Sequence, residues 1–202
     1  MSYSEFSLAQ AKQSFGLTTV EQRDIFAAAA ELSASNLLIE TLNYNLAIAL
    51  ASNSEKARSE LIIALILLNL RRQLKEQISI FSGIDFTVDN SKGLNGTCDF
   101  IITKSPEMLI LTAPVITVVK AKKENINASL GQCAAEMVAA QIFNHQQGST
   151  EIKTIYGAVT TGSIWQFMKL EEQILSIDLS EYYLKDVNKI IGILATGIFP
   201  EI

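Results

Sequence analysis

Apolar positions recur at helical spacing through the first third of the chain, and the alanine- and leucine-rich stretch 25–50 reads as helix. Thr18-Thr19-Val20-Glu21 has the Thr-x-x-Glu spacing of a capping box and predicts where that helix starts. A second start signal, Ser52-Asn53-Ser54-Glu55, precedes another helical stretch reaching Leu74. Inside it, residues 61–68 are all apolar, which predicts a helix buried nearly all round.

The period then changes to two. Ile84, Phe86 and Val88 alternate with Asp85, Thr87 and Asp89, as in a half-buried strand, and "NSKGLNG" is a turn cluster. "TCDFIITK" and "MLILTAPVITVVKAKK" read as further strands, the second interrupted at Pro114. "SLGQCAAEMVAAQIFNHQQ" returns to helical spacing, with Ser129 a candidate cap. "IKTIYGAVTTG" and "SIWQFMKLEE" read as two strands joined by a Thr-Gly turn, and "ILSIDLSEYY" as a third. A helix over 184–195 follows.

No repeat or low-complexity linker divides the chain. The expected organisation is one domain over 1–202, of class α/β (α+β). It has a helical N-terminal extension at 1–50, a core at 51–170 and a C-terminal strand and helix at 171–202. Helix, three strands, helix and strand in that order predict a mixed sheet flanked by helices.

Composition narrows the function. Hydrophobic residues make up 49% and charged ones 18%, enough apolar material for a large core and too little charge for a disordered chain. The net charge of −5 argues against a surface that coats nucleic acid, though not against a small basic cleft. Cys98 and Cys133 lack the spacing of a zinc site. His145, the single histidine, has no positioned nucleophile, and no glycine-rich phosphate loop is present. Trp165 and Phe167 are expected to pack in the core. The polar first residues and the shortness of the apolar runs predict a cytoplasmic protein with no membrane span.

Candidate chemistry lies in five places. Glu60 is near the start of the apolar helix, and Asp99 is in the strand "GTCDFIIT". Lys122 ends the strand "VVKAKKEN". Gln132 and Glu136 are four apart on the next helix and share a face. Over residues 52–170 these positions resemble the PD-(D/E)xK nuclease superfamily, the restriction-endonuclease-like fold. "TTGSIWQF" looks like the Thr-x-Gly-x-x-Trp segment of uncharacterised members. The resemblance implies that Asp99 holds a metal, that Lys122 is the motif lysine and that Glu60 is the helix glutamate. It implies Mg²⁺ as cofactor if the protein is active, and DNA as a candidate partner.

The chain departs from that pattern at Lys120, which stands where the family has Asp or Glu. Phosphodiester hydrolysis by this route needs a hard cation held by oxygen ligands. Lysine offers neither lone pairs nor negative charge at neutral pH. Strand alternation puts Lys120 and Lys122 on one face, and Lys120 is expected to contact Asp99 or Glu60. Three readings follow: a degenerate, non-cutting or weakly cutting nuclease-like protein that binds nucleic acid or protein; an active Mg²⁺ endonuclease whose missing acid is supplied by Glu60 or Glu136; and a structural homo-oligomer.

Overall fold

A computed structural model describes residues 1–198. Its centre is a mixed eight-stranded sheet with helices on both faces, an α/β arrangement with a helical N-terminal part. The strands are β1 Thr18–Gln22, β2 Ser79–Asp85, β3 Thr97–Thr103, β4 Val115–Ala121, β5 Thr154–Thr160, β6 Ile164–Glu171, β7 Ile174–Asp178 and β8 Tyr182–Tyr183. Their order is β1-β7-β6-β5-β4-β3-β2, with β8 paired to β6. β1 runs parallel to β7 and β4 parallel to β5, and the other neighbours are antiparallel.

Two apolar cores follow from this layering. On one face lie α2 (Asn36–Ala51), α3 (Glu55–Arg58), a π-helical turn (Ser59–Ile63), α4 (Ala64–Gln73) and α6 (Val187–Thr196). Ile62, Ile66 and Leu70 pack there with Phe100, Val119 and Phe167 of the sheet. On the other face, α5 (Ile126–Gln146) packs Cys133 and Met137 against Val118 and Val159. α1 (Leu8–Phe15) and the residues before it lie over α5, with Tyr3, Phe6 and Ala11 fully inside. Gly131 lies directly beneath the backbone of Ser7 and Leu8, which a Cβ there would strike. Because α5 is covered by the sheet below and by α1 above, Ser129 through Ala140 are all buried.

Several elements differ from the sequence expectation, for physical reasons visible in the fold. Thr18-Thr19-Val20-Glu21 is not a helix cap but most of β1, where β-branched side chains suit an extended chain. The alanine run after it is irregular, because α6 takes up its carbonyls: Lys189 Nζ donates to Ala27 O at 2.9 Å and Ala29 O at 2.6 Å. Asn188 adds two contacts, its carbonyl accepting from Leu32 N–H and its Oδ1 from Ala34 N–H. The helix therefore begins only at Asn36, capped by Ser35 Oγ. β4 starts at Val115, after the proline, so residues 108–114 form no strand. α5 is capped by Asn125 rather than Ser129, and the last helix starts at Val187.

Candidate functional site

The site begins at an irregularity in the sheet. β2 and β3 pair as Ser82↔Phe100 and Ile84↔Cys98, which leaves Gly83 opposite Asp99. Gly83 has φ +63°, a backbone state that disfavours a side chain even though a Cβ would meet nothing within 4 Å. Strand alternation slips at this point. Phe100 and Ile102 face the α4 side and Ile101 the α5 side, yet Cys98 lies on the α5 side with Ile101. The pairing of β3 with β4 stops at Phe100↔Val119. Beyond it the Asp99 side chain stands in for the ladder, with Oδ2 accepting the Ala121 N–H at 2.8 Å.

Lys120 enters at the same place. It is 4% exposed, and its Nζ lies 2.9 Å from Asp99 Oδ2 and 3.7 Å from Glu136 Oε1. Gln132 Nε2 donates to that same Glu136 oxygen at 3.2 Å. Glu136 is completely buried, and its Oε2 has no partner. The four side chains come from two strands and one helix, so the cluster ties the sheet to α5.

One cation here serves two carboxylates, and burial decides how they share it. Desolvation alone would lower the pKa of Lys120, but the charges of Glu136 and Asp99 outweigh it and leave the ammonium's pKa above its ordinary value. Desolvation drives Glu136 the other way from most paired acids, up to about 7, with Lys120 opposing that rise only in part. Cys98 and Cys133 are free, and burial pushes both thiols up, so they stay protonated.

A pH dependence follows. Between about 4.5, the ordinary value for Glu136, and about 7, the folded chain holds a proton that the unfolded chain has released. The stability contributed by this carboxyl is therefore full below that window and falls as pH rises through it. Urea titrations across the window, on wild type and on Glu136→Gln, should show that slope in the wild type and its loss in the variant. The same slope in both would assign it to other groups.

Glu60 and Lys122 are placed differently. Glu60 lies in the π-helical turn, 60% exposed at its side chain, and pairs with Lys56 at 3.1 Å. It lines a cleft of about 360 Å³ together with Glu55, Lys56, Ser82, Gly83 and Asp99. β4 ends at Ala121, so the expected shared face of Lys120 and Lys122 does not persist. Lys122 N–H donates to Thr160 O at 2.8 Å, while its Nζ turns toward Glu55 Oε2 at 3.9 Å. No ion pair or hydrogen bond joins Lys122 to Asp99, or Glu60 to Lys120, among the described residues. Two residues at the cleft are not among the candidates that the sequence pattern offers: Glu55, which stands in a helix-start signal, and Gly83 of β2. For Gly83 the signal was available, since glycine inside a strand pattern marks an irregularity.

Comparison of the chain with protein-family models, with curated proteins and with solved structures gave no match. The reading of this site therefore rests on its own geometry.

The residues present do not fit a catalytic Mg²⁺. That ion demands near-octahedral oxygen ligation, with carboxylates free to face it. Asp99 Oδ2 is already engaged by an ammonium and a backbone N–H. Glu136 is sealed inside α5, and no group of three His, Cys, Asp or Glu able to hold an ion occurs among the described residues.

The loop after β5 packs against the π-helical turn that carries Glu60. Gly162, at φ +81°, packs on Ile62 of the π-helical turn, where a Cβ would fall 3.2 Å from Cδ1. Trp165 is fully buried, donates from Nε1 to Gly162 O at 3.2 Å and stacks on Phe167. Arg58 Nη1 donates to Thr161 O at 2.9 Å from the helical side. His145 is exposed in the last turn of α5.

Proposed function

We propose that this chain is a nuclease-like protein of the PD-(D/E)xK type whose metal site has been replaced by a lysine, so that it does not cut. One observation carries the reading: the Lys120 ammonium sits 2.9 Å from Asp99, where hydrolysis would need a cation with exchangeable water. A tethered ammonium neutralises the carboxylate but cannot lower the pKa of a bound water. The order of α3–α4, β2, β3, β4, α5 and β5, with β4 and β5 parallel, is compatible with the resemblance in the sequence. The full burial of Glu136 and the pairing of Glu60 with Lys56 favour this reading over an active enzyme with a displaced acid.

The cleft charge bears on partners. Glu55, Glu60 and Asp99 outnumber Lys56 along its walls, and without a metal such a surface repels phosphodiesters. No retention on duplex DNA at low salt is the expected behaviour.

The test is Lys120→Glu, assayed beside wild type. In wild type, millimolar Mg²⁺ or Mn²⁺ should leave the melting temperature unchanged and plasmid DNA intact. The variant should be less stable without metal and should recover several degrees with it, because three carboxylates then share one cation. Nicking by the variant would extend the result. Metal-dependent nicking by wild type, abolished in Asp99→Ala, would replace this reading with that of a working endonuclease.

A further inference from the structure

α2 is more apolar than its position in the chain allows. A helix without a polar face belongs in an interior. Its only charged residue is Glu40, yet Leu37 is 62% and Tyr44 75% exposed. Six of the thirteen large hydrophobic side chains exposed among the described residues come from α2 and α4, so the exposure is concentrated rather than scattered. Leu37, Thr41, Tyr44 and Ile48 follow one another at spacings of four, three and four, the period of a seam between packed helices. Beside this seam, Leu68 of α4 is 56% exposed, and a groove of about 260 Å³ opens between the two helices.

Two charges lie on this face, one of them in the groove. Glu40 lies one turn from both Leu37 and Tyr44 on the solvent side of α2, and Arg72 lines the groove from the last turn of α4. Both are exposed, and neither side chain has an ion pair or hydrogen bond in the described chain. Arg71, by contrast, is occupied by Ile78 O and Glu76.

We propose that the α2–α4 face pairs with the same face of a second copy of this chain about a twofold axis, Glu40 of each copy meeting Arg72 of the other. A twofold interface must be self-complementary, each residue meeting its counterpart's partner in both directions. One acid and one base, each unpartnered and separated by an uncharged seam, meet that requirement. Copies carrying −5 each repel over most of their surface, so a charge-poor face is where they approach at least cost. A lipid surface is the poorer occupant, since Glu40 would face anionic headgroups. The pairing does not depend on how the Lys120 cleft is read.

Sedimentation equilibrium of the full chain over the micromolar range tests it. Wild type should show a monomer–dimer equilibrium, and Tyr44→Glu and Leu68→Glu, both at exposed positions, should be monomeric with unchanged circular dichroism. Glu40→Arg alone and Arg72→Glu alone should each weaken association by about tenfold. An equimolar mixture of the two single variants should restore it, because every charge then meets its opposite. A wild type that stays monomeric overturns the proposal, as does a dimer untouched by Tyr44→Glu and Leu68→Glu. Monomers that bind neutral lipid vesicles through Tyr44 would assign the face to a membrane surface instead.

Discussion

Lys120→Met should lower stability by about 3–5 kcal/mol at neutral pH, the usual consequence of removing one partner from a buried ion pair. Methionine fills much of the lysine's volume, so the loss is electrostatic rather than a cavity. It leaves Asp99 with the Ala121 N–H and Glu136 with Gln132. Lys120 is the charge that opposes the rise in the Glu136 pKa, so without it that carboxyl titrates higher still. The variant's folded state then binds its extra proton over a wider range above 4.5, and its stability goes on falling at pH values where that of wild type has levelled off. The gap between the two proteins should therefore narrow as pH falls from about 8 to about 5. Denaturant midpoints across that range measure it directly. A gap that stays constant would show that Glu136 does not feel Lys120.

Trp165→Ala should cost a similar amount, about 3–5 kcal/mol, because the whole indole lies in the core and its removal leaves a cavity. The effect has a second part. Trp165 holds the Gly162 carbonyl, and Gly162 holds the π-helical turn that carries Glu60. Amide hydrogen exchange in residues 59–63 and 160–163 should accelerate together in the alanine variant. Trp165→Phe, which keeps one aromatic ring but loses the indole N–H and part of the buried volume, should lose less, about 2 kcal/mol. Exchange confined to 160–163 would mean that the loop and the helical turn are not linked.

What could be read from the chain alone follows the range of the interactions involved. Local pattern gave the strands around Asp99 and the expectation that Lys120 would reach Asp99 or Glu60, because alternation along β4 is a short-range property; only the first contact forms. The same logic failed two residues on. At Lys122 the strand has ended, and the backbone is set by Thr160 rather than by pleating. Gln132 and Glu136 were visible as a pair on one helix face. Their burial was not, because it depends on α1 covering α5 from more than a hundred residues away. The alanine run failed likewise: its propensity is helical, but Lys189 and Asn188 offer its backbone another set of partners. The cap on α5 lies between these cases. Asn125 at φ +56° is a conformation asparagine tolerates, so a start one turn before Ser129 was open to a closer reading.

The covering of α5 also bears on the order in which the molecule is assembled. Tyr3 donates to the Phe86 carbonyl, Ser7 lies against Gly131, and β1 pairs with β7 from Thr18↔Ile174 onward. Nearly every tertiary contact of the first twenty-two residues is thus to chain that follows much later. These residues cannot dock until α5 and β7 exist, so on a ribosome they wait while most of the sequence is made. Such a long closure favours slow, late docking of the N-terminal segment onto a sheet already formed.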